Sequence, residues 1–106
     1  MPTSTEISQM MVAGFKPEKA EGVDAVIQFD LSGDGGGQFY VHIANQGITA
    51  HEGVAENPKM TLKASAEDYY NVATGKLNAM QAFMGGKIKI QGDMGLAMKM
   101  QGMFSA

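Results

Sequence analysis

Apolar residues change their period along the chain, and each change marks an element. Between positions 3 and 15, Ile7, Met10, Met11 and Gly14 recur at helical spacing, and Thr3 with Glu6 three residues on makes a capping box. A helix therefore opens the chain, until Pro17 interrupts it and the polar stretch "KPEKAEG" makes a connection. From Val23 the period falls to two: Val23, Ala25, Ile27, Phe29 and Leu31 share one face, and Asp24, Gln28, Asp30 and Ser32 the other. Phe39, Val41 and Ile43 continue inward with Tyr40 and His42 outward, and "ITAHEGV" and "MTLKAS" add two shorter strands.

Helical signals then return. Ser65 followed by Asp68 is a second capping pair, and Gly75 can end the helix it opens. Asn78 can cap "AMQAFM", which Gly85 and Gly86 terminate. "KIKIQG" alternates once more, with Ile88 and Ile90 in and Lys87, Lys89 and Gln91 out, before Asp93 caps a last helix. The order is helix, four strands, two helices, strand, helix. It predicts an α+β fold, a five-stranded and mostly antiparallel sheet with helices covering one face. No repeat or long linker divides residues 1–106, which read as a single domain.

Composition narrows the partners. The net charge is -3 and all eight basic residues are lysines, so no guanidinium is available for bidentate phosphate or base contacts and nucleic acid is not expected as a partner. With no cysteine, disulfides, thiolate metal sites and cysteine nucleophiles are excluded. The first residues lack the basic and apolar segments of a signal peptide, and no apolar run approaches about 18 residues. A cytoplasmic location is the expectation.

Two stretches invite a search for chemistry. Asp30, Ser32, Asp34 and Gly35 match the opening of a calcium loop, but its twelfth position is Val41 and its flanks are strands, so "DLSGDGGG" reads as a glycine-rich hairpin turn. The second is "HIANQGITAH". A turn with Gln46 and Gly47 at its corner would pair Asn45 with Ile48, Ile43 with Ala50 and His42 with His51. Two cross-strand imidazoles would result, without a third metal ligand, so they read as surface histidines. The same register carries Glu52 inward beside Val41 unless the strand ends there, which is the expectation. No serine lies in a nucleophile elbow. No catalytic residue, metal or cofactor is predicted, and a hydrolase or metal enzyme would rest on His42 and His51 alone.

The methionines change the picture, because there are ten. At about 100° per residue, Leu96, Ala97, Met100, Met103 and Phe104 of the last helix fall within roughly 120°, enough to dock it on the sheet. Met94 and Met98 are left over on another side. Such an edge suits a cavity wall, a homodimer contact or a membrane-surface contact, the last weak because Lys99 is the helix's one cation. Met80, Phe83 and Met84 of the preceding helix lie near in sequence, and unbranched, polarizable methionine suits a wall that fits variable apolar shapes.

These residues resemble a known family. "GVDAVIQFDLSGDGGGQFYVHIANQG" and "PKMTLKASAEDYYNVATGKLNAMQAFMGGKIKIQGDMGLAMKMQGMF" look like a sterol-carrier-protein-two lipid-transfer domain, from about Phe15 to Phe104. Most specific are Gly75-Lys76-Leu77, Ala82, and "GGKIKIQGDMGLAMKM" from Gly85 to Met100, similar to the family's G-K-I-K-I-x-G-D followed by an L-A-x-K-L helix. The sequence departs from that pattern in carrying methionine for leucine at Met94, Met98 and Met100, and in ending without the peroxisomal tripeptide of some members. The resemblance implies an apolar tunnel between sheet and helices, holding fatty acids, acyl-CoA, sterols or phospholipids. It also implies no catalysis by the domain itself, although relatives are often fused to enzymes that handle lipids. The expected wall is Phe29, Val41 and Ile43 from the sheet with Met80, Phe83, Met84, Met94, Met98 and Phe104 from the helices. Phe29 is equally suited to plain core. The alternative is a protein-interaction or homodimerisation module using the methionine-rich last helix.

Overall fold

A computed structural model describes residues 3–104. Helix α1 spans Ser4–Ala13 and is followed by a single 3-10 turn at Pro17–Lys19. Strands β1 (Ala25–Ser32), β2 (Gly37–Ala44), β3 (Gly47–Glu52) and β4 (Met60–Ser65) come next, then α2 (Ala66–Ala73), α3 (Ala79–Met84), β5 (Ile88–Gly92) and α4 (Met94–Met103). The order of elements is the one the periodicity predicts.

Each helix starts on a side chain that satisfies an otherwise orphaned backbone N–H. Thr3 and Glu6 form the full reciprocal box on α1, and the bonds from Thr3, its backbone N–H foremost, hold the Glu6 carboxyl below the ordinary carboxylate value. Ser65 accepts from the Asp68 N–H at 3.0 Å, Asn78 from Gln81 at 3.1 Å, and Asp93 from Leu96 at 3.0 Å.

The sheet runs β3-β2-β1-β4-β5, with three antiparallel pairs and a parallel pairing of β1 with β4. That one parallel contact makes the sheet mixed. The chain reaches it by leaving the β3 edge and crossing the outer face. Gln28 lies under this crossing, buried although it points away from the core: its amide donates to the Gly53 carbonyl at 3.1 Å and accepts from the Ala55 N–H at 2.7 Å.

The β2–β3 turn differs from the expected one. Asn45 and Gln46, not Gln46 and Gly47, stand at its corner, with φ of 53° and 59°. Ala44 faces Gly47, Ile43 faces Ile48 and His42 faces Thr49. Two left-handed residues in succession give the turn a twist that matches the flanking strands, and asparagine enters that region more readily than most side chains. Pairing therefore slips by two residues, which changes cross-strand partners but keeps every side chain on its expected face. Glu52 is the last residue of β3, where it is exposed and accepts from the Thr5 hydroxyl at 3.0 Å.

The core lies between the inner sheet face and the helices. At its centre Phe29 stacks on Phe39 with ring centroids 4.8 Å apart, and Tyr69 of α2 meets Phe29 edge-on at 5.4 Å.

Candidate functional site

Helix α1 packs over β2 and β3, and α2 over β1 and the near side of β4. Over the β4–β5 half the helices stand apart and leave a cavity of about 440 Å³. Its floor is Leu62 of β4 with Ile88 and Ile90 of β5. One side is built from Met10 and Met11 of α1 and from Tyr69, Val72 and Ala73 of α2. The other comes from Ala79, Met80 and Phe83 of α3 and from Met94, Ala97, Met98 and Met100 of α4, with Phe104 just beyond. Small residues face the cavity from three helices, at Ala73, Ala79 and Ala97, and their missing bulk is part of why space remains.

The far end of α4 is tied down. Phe15 and Phe104 form an isolated antiparallel bridge with their rings 5.9 Å apart, and the Lys16 N–H donates to the Met103 carbonyl at 2.7 Å. The opposite margin is open, because Met80, Met94 and Met98 line the cavity and are still 43%, 45% and 67% exposed.

Among the described residues, no charged side chain lines the cavity. Its two hydroxyls are already engaged: Thr74 donates to the Tyr70 carbonyl at 2.8 Å, and Tyr69 to the Met11 sulfur at 3.7 Å. Burial pushes the Tyr69 phenol well above its ordinary value, so it stays neutral. Such a cavity offers dispersion and apolar burial to a guest, with no free ionic or hydroxyl handle inside.

Of the residues expected to form the wall, the structure gathers Met80, Phe83, Met94, Met98 and Phe104 around this space. Phe29, Val41 and Ile43 are not there. All three are completely buried, Phe29 under Tyr69 of α2, and Val41 and Ile43 on β2, the strand that α1 packs over. Met84 points away from the cavity and is 79% exposed. On α4 the two apolar edges separated by helical periodicity converge, since Ala97 and Met100 reach the cavity from within while Met94 and Met98 reach it from the margin. The floor residues and the α2 wall had no sequence signal beyond ordinary core periodicity.

The polar candidates lie elsewhere. His51 stacks on Tyr40 with centroids 5.1 Å apart, while His42 sits 3.2 Å from Asp24, so the expected His42–His51 pair is replaced by two separate contacts. Asp30 accepts from the Gln28 and Gln38 amides at 3.3 and 3.2 Å, and Gly33 and Gly35 turn the backbone at positive φ, as a hairpin requires. Among the described residues, no group of three or more His, Cys, Asp or Glu side chains is placed to hold a metal ion. Among the same residues, no helix is long and apolar enough to cross a membrane.

Comparison with known proteins places the fold among known ones. The rat (Rattus norvegicus) hydroxysteroid dehydrogenase-like protein 2 is 33% identical over 85 residues, which is 79% of this chain and only 16% of the relative's own length. The solution structure of palmitated SCP2L2 from Aedes aegypti superposes with a TM-score of 0.75 at 26% identity, covering 96% of this chain and 93% of that one. The inverting sec-alkylsulfatase Pisa1 from Pseudomonas sp. shares the fold at a TM-score of 0.79 and 20% identity, over 91% of this chain and 15% of the enzyme. The sequence profile of the SCP-2 sterol transfer family matches residues 10–105. With that match over nearly its whole length, the chain belongs to the SCP-2 sterol transfer family.

Proposed function

We propose that the chain binds lipids in the cavity over β4 and β5 and transfers or presents them without catalysing a reaction on them. The observation that carries this reading is the lining itself: apolar, rich in methionine, free of charge, with both hydroxyls bonded inside the protein. A volume of about 440 Å³ lies in the range of small-molecule sites, about 300–1,000 Å³. At about 0.8 kcal/mol per buried methylene, ten methylenes of an acyl chain would gain about 8 kcal/mol, which sets micromolar or weaker affinity once ordering costs are subtracted.

Energetics also explains the wall. A dry, enclosed void of this size would cost about 10 kcal/mol at about 24 cal/mol per Å³, comparable with a whole domain's stability. Flexible thioether side chains ease that cost by folding inward when the site is empty and withdrawing when it is filled. Family membership and the palmitated Aedes relative support an acyl or sterol guest. Fatty acids, acyl-CoA, sterols and phospholipids all fit the chemistry, with any head group at the methionine margin, in water.

The test is palmitate binding to the wild type and to a variant carrying Met94→Gln and Met98→Gln. The replacements keep length and neutrality while placing amides on the margin. The expected result is an affinity loss of at least tenfold with thermal unfolding little changed, since both side chains face solvent. Palmitate binding undiminished in the folded variant would remove these residues from the site. Native mass spectrometry with solvent extraction then identifies the class of guest. A lipid-free dimer in that experiment would instead favour the self-association module.

A further inference from the structure

Six of the ten methionines line one cavity. Packing accounts for soft side chains there, but it does not account for the distribution of their sulfurs. Met11 is 3% exposed and its sulfur accepts the Tyr69 hydroxyl, which engages a lone pair. Of the four lining methionines open both to solvent and to the cavity, Met10, Met80, Met94 and Met98, the last two are the most exposed and stand one helical turn apart on α4. Their thioethers are nucleophilic toward peroxide oxygen, whereas the lining hydroxyls are protonated and bonded.

The geometry points to an oxygen-acceptor site at Met94 and Met98 for lipid hydroperoxides seated in the cavity. This inference rests on the cavity being a lipid site. A sulfur lone pair attacks the terminal oxygen of the hydroperoxide, the O–O bond breaks, and the departing alkoxide oxygen takes the proton. The lipid leaves as its alcohol and the thioether becomes a sulfoxide. Sulfur is oxidised by two electrons and the peroxide is reduced by two, so no further reductant enters the step. Each methionine acts once, until a sulfoxide reductase restores it.

The chemistry also changes the site. A sulfoxide is polar where the thioether was apolar, so oxidation at the margin weakens the hold on an apolar guest. The oxidised protein then releases its lipid, and reduction restores binding.

Met84 supplies an internal control. It is more exposed than Met94 or Met98, at 79%, and lies outside the cavity. Oxidation governed by exposure reaches Met84 first. Oxidation by a bound lipid reaches Met94 and Met98 first.

The experiment treats the whole chain with one equivalent of linoleic acid hydroperoxide, without oxygen and with a metal chelator, and maps sulfoxides by peptide mass spectrometry. The expected result is oxidation at Met94 and Met98 at least tenfold faster than at Met84, with one hydroxy fatty acid formed per sulfoxide. Hydrogen peroxide at the same concentration should put Met84 first. Equal rates at Met84 and the two margin methionines under the lipid hydroperoxide would overturn the inference. So would a variant carrying Met94→Leu and Met98→Leu that reduces as much hydroperoxide, per molecule bound, as the wild type. Linoleate binding is measured alongside. Binding without oxygen transfer overturns this inference alone, and failure of both ligands to bind overturns the lipid reading beneath it.

Discussion

The Tyr69 hydroxyl donates to the Met11 sulfur at 3.7 Å, joining α2 to α1 at the closed side of the cavity. A thioether is a weak acceptor, so removing the hydroxyl costs little beyond its packing. Tyr69→Phe is expected to lose about 0.5–1 kcal/mol at neutral pH, measured by urea unfolding. The larger effect appears at high pH. Burial raises the folded phenol above its ordinary value of 10.0, so the unfolded chain releases this proton first as the pH climbs. The contribution is therefore complete below pH 10 and declines above it, by about 1.4 kcal/mol per pH unit for one proton. Wild type should lose stability above pH 10 more steeply than Tyr69→Phe. Parallel slopes would mean that the phenol titrates normally.

Gln46 occupies the second left-handed position of the β2–β3 turn, at φ 59°, where a side chain with a Cβ is strained. Its amide recovers part of that cost by donating to the Pro17 carbonyl at 3.2 Å, an exposed bond of modest worth. Gln46→Gly should relieve more than it loses and stabilise the protein by about 0.5–1 kcal/mol. A lower midpoint in chemical unfolding would show that the bond to the 3-10 turn outweighs the strain.

The same turn shows where a sequence is legible and where it stops being so. Alternation placed the side chains it assigned on β1, β2 and β5 on the right face, because the face depends only on period two, and capping residues located each helix start. Cross-strand partners depend on which two residues accept positive φ. "ANQGI" allows more than one answer, and glycine at position 47 points to the wrong one. The candidate site divides in a similar way. Met94 and Met98 were legible as apolar residues in excess of what docking needs, Met80 and Phe83 by their nearness in sequence, while periodicity puts Phe104 in the docking stripe. Phe29, Val41 and Ile43 share the inner face with Leu62 and Ile90, and nothing in their periodicity tells which half of the sheet the helices leave open. That depends on where α2, α3 and α4 settle over β4 and β5, a tertiary property.

Phe29 separates core from wall experimentally. It is fully buried between Phe39 and Tyr69, on the covered half of the sheet. Phe29→Leu removes both aromatic contacts and some volume, for an expected loss of about 1–3 kcal/mol in unfolding free energy. Palmitate affinity per folded molecule should stay within about twofold, a change of about 0.4 kcal/mol. A tenfold loss of affinity in a folded Phe29→Leu protein would extend the site across the sheet to β1.

Gly92 sets the direction of α4. It ends β5 at φ 103°, and a Cβ there would come 2.5 Å from the Lys59 carbonyl oxygen and 3.1 Å from the Met60 Cα. Both are backbone atoms at the start of β4 and cannot swing aside as a flexible side chain would. The Asp93 N–H, next along, donates to that same Lys59 carbonyl at 3.1 Å, so relieving the clash would also pull on the residue that caps α4. Gly92→Ala should therefore cost more than about 2 kcal/mol, from strain at positive φ together with the collision. The damage should also reach the cavity, because Met94 and Met98 are aimed from the helix that this junction starts. Both effects are measurable, the first by chemical unfolding and the second by palmitate binding at a temperature where the variant remains folded. Full stability in the alanine variant would mean that the β5–α4 junction tolerates a shift of its backbone, and that α4 is positioned from its other end, by the bridge between Phe15 and Phe104.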